Sequence, residues 1–259
     1  MTDADVRGRF VWYELLTGDP KAAPDLYKQL FGWGTQSWGF GPFSYTLWTR
    51  GTAPMGGVKP LPESAAKAGT PPHWLPYIAV PDVTATVALA ESLGARTYVA
   101  PKSVPMIGRF AVLADPQGAA FAVVTPAVAL PADAPPELGQ FSWHELATAD
   151  PAGAFAFYQA LFGWEARDLV DMGGDGPYQT FGRAGRPLGG VYKKTAEAPA
   201  PPSWLLYVRV EDVKRAGATV EASGGRLLSA PIDVPNGDQI VPCADAQGAA
   251  FALHQIKPS

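Results

Sequence analysis

A tryptophan and a glutamate stand two residues apart at two places in the sequence, Trp12 with Glu14 and Trp143 with Glu145. Residues i and i+2 of an extended strand lie on the same face of a sheet, so each indole should lie beside its carboxylate. A carboxylate in a partly dry aromatic cavity could act as a general base, or it could anchor a cationic or hydroxyl-bearing ligand. In the alternative, structural interpretation, each glutamate is paired with a backbone amide, an arginine or a hydroxyl group and holds strands together.

The segments that carry these pairs are copies of each other. Residues 10–20 (FVWYELLTGDP) and 141–151 (FSWHELATADP) agree at seven of eleven positions. Other short motifs recur at nearly the same spacing. For example, Leu30-Phe31-Gly32-Trp33 is repeated as Leu161-Phe162-Gly163-Trp164. A repeat of this length predicts two homologous domains. The predicted boundaries are 8–126 for the first domain, 127–138 for a proline-rich linker and 139–257 for the second domain.

Each copy shows the pattern of two β-α-β-β-β units. At Asp19-Pro20 an aspartate that can cap a helix precedes a proline that fits the first helical turn, which predicts a helix start. Tyr27, Leu30 and Phe31 then lie on one helical face, and Gly32 is expected to end the helix in the left-handed conformation. The other helices are predicted to begin after Asp82, Asp150 and Asp212.

The composition excludes several classes of protein. Of 259 residues, 47% are apolar and 17% charged, and the 28 glycines and 27 prolines indicate short strands with many turns. With a net charge of −4 and scattered lysines and arginines, the chain shows no basic patch for nucleic acid or an anionic membrane. The sequence has no apolar signal segment and no stretch long enough to span a membrane, so a cytoplasmic location is expected. The single cysteine, Cys243, is expected to be a small packed residue.

The order of these motifs resembles the vicinal oxygen chelate superfamily, which contains glyoxalase I, extradiol dioxygenases and the fosfomycin and bleomycin resistance proteins. The resemblance implies an α+β fold, a tandem repeat of two domains in which two βαβββ units form a curved mixed sheet around a cleft. The chain is similar to the two-domain subgroup labelled as hydroxylases or glyoxalase-like proteins, and a fold alone does not specify a reaction. The motifs are Trp12-x-Glu14-Leu15-x-Thr17-x-Asp19-Pro20, Leu30-Phe31-Gly32-Trp33 and Asp115-Pro-Gln-Gly118, with copies around Trp143 and Asp245.

The resemblance also implies where a metal-dependent member would hold a divalent ion, on the first strand of each unit and the last strand of each copy. Nitrogen or oxygen donors such as His, Gln or Glu are needed there. The matching side chains, none of which is such a donor, are Trp12, Leu75, Ala122, Trp143, Leu205 and Ala252. We therefore expect no metal ion and no other cofactor, and a metal site would require a shift in strand register.

With these residues in place of ligands, the resemblance implies an apolar cleft with an aromatic floor. His254 lies two residues beyond Ala252 and so on the same strand face, which favours a role in the cleft of copy two. Core packing is the alternative for each aromatic residue. The residues expected to contact a ligand are Trp12, Trp143, Tyr45, Trp48, Tyr178 and His254.

Two other features are expected to be structural. His144 is adjacent to Glu145, so it faces the opposite side of its strand, where a packing role is expected. The pairs Gly56-Gly57 and Gly189-Gly190 lack the lysine and helix start of a phosphate-binding loop, which predicts strand kinks or points of close approach.

Two functions remain open from the sequence. The preferred hypothesis is a metal-free protein that binds a small hydrophobic or aromatic molecule. The alternative is an enzyme, either a cofactor-free lyase, isomerase or hydroxylase-like catalyst with Glu14 or Glu145 as base, or a divergent metal-dependent glyoxalase using His254 with Glu145. The expected partner is a small molecule, and the chain is expected to be a monomer through internal pairing of its repeats, or a homodimer.

Overall fold

The structure is a computed structural model. It describes residues 6–39, 45–104, 107–173, 176–194 and 201–257. Within these residues the chain forms five helices and seventeen strands. No described helix combines the length and the apolar character that crossing a membrane requires.

The first copy consists of two βαβββ units and a short helix between them. Its strands form an eight-stranded sheet in the order β2-β3-β4-β1-β5-β8-β7-β6. The helices are α1 (Ala23–Phe31), α2 (Glu63–Lys67) and α3 (Val83–Ser92). The strands are β1 (Phe10–Thr17), β2 (Gly34–Trp38), β3 (Tyr45–Arg50), β4 (Ala53–Pro60), β5 (His73–Ala79), β6 (Arg96–Val104), β7 (Gly108–Ala114) and β8 (Ala120–Pro126).

The second copy repeats this arrangement. Its sheet has the order β10-β11-β12-β9-β13-β17-β16-β14, and β15 pairs with β16. The twice-repeated mixed sheet confirms the predicted α+β fold class. The helices are α4 (Pro151–Phe162) and α5 (Val213–Ala222). The strands are β9 (Phe141–Thr148), β10 (Glu165–Asp171), β11 (Pro177–Arg183), β12 (Arg186–Lys193), β13 (Ser203–Arg209), β14 (Arg226–Leu227), β15 (Ile232–Asp233), β16 (Gln239–Ala244) and β17 (Ala250–Gln255).

Three of the four predicted helix starts are confirmed, because a helix begins directly after Asp82, Asp150 and Asp212, each of which accepts a hydrogen bond from a backbone N–H of the first turn. The predicted start at Asp19-Pro20 was wrong, since α1 begins at Ala23. Pro24 has no N–H to donate to the Pro20 carbonyl, so helical hydrogen bonding cannot begin one turn earlier.

Contacts divide the chain into two compact units, and each unit combines segments of both copies. Because the units cut across the repeats, the domain boundaries 8–126 and 139–257 remain a prediction. Unit 1 comprises Met1–Val11, Pro76–Ala134 and Trp143–Trp204, and unit 2 comprises Trp12–Leu75, Pro135–Ser142 and Leu205–Ser259.

In unit 2 the core is centred on Tyr27, which is 1% exposed. Its hydroxyl donates to Asp245 Oδ2 at 3.0 Å and accepts from Trp74 Nε1 at 3.2 Å. The ring lies against Trp33 at a centroid distance of 5.8 Å and against Phe251 at 5.5 Å. A tyrosine of copy one is thereby joined to the late Asp-x-Gln-Gly turn of copy two.

Unit 1 contains the same arrangement with the copies exchanged. The Tyr158 hydroxyl donates to Asp115 Oδ2 at 3.0 Å and accepts from Trp204 Nε1 at 3.3 Å. The ring contacts Trp164 and Phe121 at centroid distances of 5.7 and 5.3 Å. The recurrence of these residues in the sequence therefore has a structural cause, since each copy supplies half of each core.

The glutamines of the two turns make a further link between copies. The Gln117 side chain accepts from Asp150 N at 2.6 Å and donates to Asp150 O at 2.7 Å, and it also accepts from Thr148 Oγ1 at 2.7 Å. Gln247 holds Asp19 N and O in the same way, at 2.6 and 2.9 Å. Each glutamine thus fixes the segment that leads into the first helix of the other copy.

Candidate functional site

Strand pairing places each predicted glutamate beside a glycine. Strand β1 runs parallel to β4 with Glu14 opposite Gly57, and β9 runs parallel to β12 with Glu145 opposite Gly190. A Cβ atom on either glycine would overlap the ring of a tyrosine on the next strand, Tyr45 or Tyr178. The glycine pairs are therefore points of close approach, as predicted, and they let a tyrosine lie across the strand and reach the glutamate.

In unit 2 these residues form a hydrogen-bonded chain. Tyr45 Oη accepts from Trp12 Nε1 at 3.3 Å and donates to Glu14 Oε1 at 2.8 Å. The other carboxylate oxygen, Oε2, forms an ion pair with Lys59 Nζ. Glu14 is 4% exposed, whereas Trp12 and Tyr45 are half-buried. Both oxygens of this buried carboxylate therefore accept a hydrogen bond.

Unit 1 repeats the chain with a shorter Trp–Tyr contact and a slightly longer Tyr–Glu contact. Tyr178 Oη accepts from Trp143 Nε1 at 2.7 Å and donates to Glu145 Oε2 at 3.0 Å. Tyr192 occupies the register position that Lys59 holds in unit 2, since it lies opposite Ala147 as Lys59 lies opposite Leu16. The rings of Tyr178 and Tyr192 are nearly parallel, with centroids 6.1 Å apart. Unit 1 thus has a phenol where unit 2 has an ammonium group.

The two bridging tyrosines remain protonated. Burial raises the pKa of Tyr45 and of Tyr178, and the negative charge of the adjacent glutamate raises it further. The indole N–H acts in the opposite direction and does not offset these effects. Each phenol is therefore a fixed donor to its carboxylate, and each site presents an indole, a phenol and a carboxylate.

Lys59 and Tyr192 were not among the predicted site residues. Each follows its inner glycine, Gly57 or Gly190, by two residues, so strand alternation places it on the same face as that glycine. This spacing is the signal that could have identified both residues from the sequence.

Trp48 lies away from this chain of residues. It is 1% exposed and packs against Tyr27, Trp33 and Trp74 at centroid distances of 5.5, 5.6 and 6.2 Å. Tyr45 and Trp48 are three residues apart on β3, so they point to opposite faces of the sheet. The structure places Trp48 in the core, and its contact with a ligand stays a prediction.

His254 lies in a buried polar cluster of unit 2. Its Nδ1 is 2.9 Å from Ser142 Oγ, and its Nε2 is 3.1 Å from Asp238 Oδ2. Burial lowers the pKa of His254, which the carboxylate of Asp238 opposes only in part. Both ring nitrogens already have polar partners, and a role in ligand binding stays a prediction.

The positions where the family places metal ligands do not fit a metal ion. Leu75 is 2% exposed, and Ala122 and Ala252 are fully buried hydrocarbon side chains. At the two tryptophan positions the indole N–H groups donate to tyrosine hydroxyls, and an indole N–H offers no lone pair to a cation. Over the described part of the chain, no three His, Cys, Asp or Glu side chains are grouped to hold a metal ion.

Comparison with known proteins gives concordant results. Residues 140–253 match the model of the Glyoxalase/Bleomycin resistance protein/Dioxygenase superfamily. The chain is 30% identical over 250 residues to CFP32 of Mycobacterium tuberculosis, whose name gives glyoxylase as a proposed activity, with 96% of this chain and 94% of that protein aligned. It is 28% identical over 261 residues to the anthracycline biosynthesis protein DnrV of Streptomyces peucetius, with the same coverage.

Solved structures show the same fold at low sequence identity. A variant of homoprotocatechuate 2,3-dioxygenase from B. fuscum superposes with a TM-score of 0.69 at 14% identity, covering 98% of this chain and 73% of that one. The Mn(II)-bound glyoxalase from Novosphingobium aromaticivorans superposes with a TM-score of 0.61 at 14% identity, covering 96% and 82%. Together with the sequence relatives, these findings show that the chain belongs to the glyoxalase/bleomycin resistance/dioxygenase superfamily, as the resemblance implied.

Proposed function

We propose that the protein binds a small hydrophobic or aromatic molecule without a resident metal ion. The observation that carries this proposal is the Trp–Tyr–Glu chain of each unit, whose tryptophan stands where a metal-dependent relative would place a ligand. The indoles Trp12 and Trp143 are half-buried, so part of each ring is accessible to a ligand. Aromatic faces and edges of this kind bind planar molecules by stacking and edge contacts.

The polar groups of each site favour a ligand with hydroxyl or amino substituents. A carboxylate held by a tyrosine can accept a hydrogen bond from such a group at the edge of a ring. DauV and DnrV, which align over 96% of this chain, are named for anthracycline biosynthesis. A planar, hydroxylated polycyclic compound is therefore the ligand class that we propose.

The binding test uses daunorubicin, an anthracycline with a planar hydroxylated ring system and one amine, titrated into the full chain by calorimetry. We expect saturable binding that Trp143→Ala weakens several-fold, because truncation removes an aromatic contact surface. Val128→Ala is the control, since Val128 is 67% exposed in the linker and should leave the affinity unchanged. Unchanged affinity in Trp143→Ala, with the far-UV spectrum retained, would remove Trp143 from the site.

The metal test is independent of the ligand. Protein purified without chelator should contain less than stoichiometric divalent metal, because the family positions hold indole and hydrocarbon groups. A stoichiometric ion that a chelator removes, with loss of thermal stability, would contradict the metal-free proposal.

A second candidate is a cofactor-free enzyme with Glu145 as general base, and one observation favours Glu145 over Glu14. Glu145 is half-buried, whereas Glu14 is 4% exposed and its two oxygens bind Tyr45 and Lys59. Turnover of a bound ligand that Glu145→Gln abolishes while binding persists would establish this function. Binding without turnover in the wild-type protein would contradict the enzyme hypothesis and support the binding function.

A further inference from the structure

Unit 2 contains a cavity that is separate from the Trp–Tyr–Glu chain. Its volume is about 380 Å³, and it lies at the C-terminal end of α1. The cavity is lined by Gln29 and Leu30 of α1, by Leu138 and Gly139 before β9, and by residues of the first turns of α5. A volume of this size suffices for a small ligand.

The corresponding place in unit 1 is filled by an arginine. Arg7 donates from Nε to the Leu161 carbonyl at 2.9 Å and from its terminal nitrogen to the Ala160 carbonyl at 2.7 Å. These carbonyls belong to the last turn of α4, where helical C=O groups have no partner within the helix. The guanidinium group therefore satisfies two of them and lies at the negative end of the helix dipole.

The two places are equivalent by their backbone contacts. Gly8 O accepts from Trp164 Nε1 at 2.8 Å, and Gly139 O accepts from Trp33 Nε1 at 2.7 Å. Both glycines have positive φ, 82° and 75°. A Cβ on Gly8 would collide with the Phe162 carbonyl, and one on Gly139 with the Phe31 carbonyl.

Leu138, which precedes Gly139, therefore stands where unit 1 has Arg7, and Gln29 and Leu30 correspond to Ala160 and Leu161. The Leu138 side chain is 49% exposed and can offer no hydrogen bond to these carbonyls. Within the described residues, no donor to the Gln29 or Leu30 carbonyl is found. The last turn of α1 thus lacks the cap that Arg7 supplies to α4.

Each charged side chain around the cavity already has a partner. Arg215 pairs with Glu211, and Arg209 donates to the Pro136 carbonyl at 2.7 Å. Asp212 accepts from the backbone N–H groups of Lys214 and Arg215, so the first turn of α5 has few donors left for an anion. At the α1 end of the cavity the polar groups without a donor are the Gln29 and Leu30 carbonyl oxygens, which favour a hydrogen-bond donor with positive charge.

We propose that this cavity binds a guanidinium group carried on a short alkyl chain, in the manner in which Arg7 binds the end of α4. The ligand would donate in a forked geometry to the Gln29 and Leu30 carbonyls, with its alkyl part against Leu138. The binding mode is copied from contacts that the chain itself makes in unit 1. The proposal is independent of the function proposed for the Trp–Tyr–Glu chain.

The test is an NMR titration of the ¹⁵N-labelled full chain with ethylguanidinium chloride, with sodium chloride at equal ionic strength as control. We expect saturable shifts at the amides of Gln29, Leu30, Gly32 and Gly139, with a dissociation constant on the order of millimolar for so small a ligand. The end of α4, where Arg7 is bound, should not respond. Absence of saturable shifts in wild-type protein would overturn the proposal, and so would equal shifts with inorganic phosphate.

Two variants invert the pattern. Leu138→Arg should fill the cavity from within the chain and abolish the shifts, whereas Leu138→Met should retain them. Arg7→Leu should create a second responsive site at Ala160 and Leu161. Retention of the shifts in a folded Leu138→Arg variant would contradict the proposal.

Tighter binding of N-acetylarginine amide than of ethylguanidinium would assign the cavity to an arginine side chain of a polypeptide. The reverse order would assign it to a free small molecule.

Discussion

The sites of the two units share a hydrogen-bonded chain and differ at one neighbouring position. Each has an indole that donates to a tyrosine, a tyrosine that donates to a glutamate, and a glycine that makes room for the tyrosine ring. Unit 2 adds an ammonium group on Glu14 from Lys59, where unit 1 has the phenol of Tyr192. The shared part connects three strands, whereas the differing residue places an ammonium group in one unit and a phenol in the other. Duplicated scaffolds of this kind can therefore present two chemically distinct sites.

A second difference lies beneath the sheets, at the residues that follow the two tryptophans. Tyr13 stacks on Phe141 in unit 2, and His144 stacks on Phe10 in unit 1, each at a centroid distance of 3.6 Å. The packing is the same, but of the two residue types only histidine has an ordinary pKa near neutral pH. Burial lowers the pKa of His144 to about 4. At this position, copy two therefore carries a pH dependence that copy one lacks.

The largest expected effect concerns this histidine. An unfolded chain takes up a proton on histidine as the pH falls through about 6.5, whereas folded His144 stays neutral down to about pH 4. The unfolded state thus binds more protons between these values, and His144 should lower the free energy of unfolding by about 3 kcal/mol on acidification. Urea unfolding at a series of pH values measures the loss, and above pH 6.5 this contribution is constant.

The matched variant is His144→Tyr, which installs the residue of the other copy. Its unfolding free energy should fall less steeply below pH 6.5, and the remaining slope should come from His254 and His73, whose pKa values burial also lowers. An unchanged slope would show that His144 does not titrate as its burial requires.

The next effect should be equal in the two units. Tyr27→Phe and Tyr158→Phe each remove a buried hydroxyl that links a tryptophan to an aspartate of the other copy. Each should lower the free energy of unfolding by about 2 kcal/mol, because the aspartate loses a hydrogen bond in a buried place. Chemical denaturation measures both, and a difference above about 1 kcal/mol would break the equivalence of the two cores.

A smaller and unequal effect is expected at the charged position. Lys59→Met removes the ammonium partner of Glu14, whose side chain is 5% exposed, and should lower the free energy of unfolding by about 1.5 kcal/mol. The expected loss of unfolding free energy is moderate because the Lys59 side chain is 35% exposed, so water can partly replace the ammonium group beside Glu14. Tyr192→Met, the matched change in unit 1, removes no charge and should cost less. Equal losses would show that the ion pair contributes nothing.

The smallest effect concerns two threonines that are both fully buried. Thr148 Oγ1 donates to Gln117 Oε1 at 2.7 Å, whereas Thr17 Oγ1 has no hydrogen-bond partner among the described residues. Thr148→Val should therefore lower the free energy of unfolding by about 1 kcal/mol, and Thr17→Val should leave it unchanged or raise it by less than that. Thermal and urea unfolding measure both variants. Equal losses of unfolding free energy in Thr148→Val and Thr17→Val would contradict this difference between the copies.

Much of the fold was predictable because its signals are local. Three capping aspartates, the left-handed Gly32 and the repeated motifs identified the βαβββ units. The error at Asp19 arose because Pro24, five residues farther on, prevents helical hydrogen bonding from starting there. The glycine pairs were correctly interpreted as close approaches, although the tyrosine rings above them were not foreseen.

The candidate site was predictable only in part. Strand alternation placed Trp12 with Glu14 and Trp143 with Glu145, and the family resemblance pointed to Tyr45 and Tyr178. Trp48 was grouped with them although its spacing from Tyr45 puts it on the opposite face of β3. The partners of His254, Ser142 and Asp238, are distant in sequence, and no local pattern indicates such contacts.

The sequence by itself determined the repeat, the order of strands and helices and the absence of metal-ligand residues at the family positions, because these follow from residue types and short spacings. The tertiary structure alone decided which copy completes which core, since Tyr27 meets Asp245 and Tyr158 meets Asp115 across the repeats. It also decided that Lys59 reaches Glu14 and that Leu138 leaves open the place that Arg7 fills. Such contacts depend on sheet register and helix packing between distant segments, and two identical sequence words can therefore acquire different neighbours.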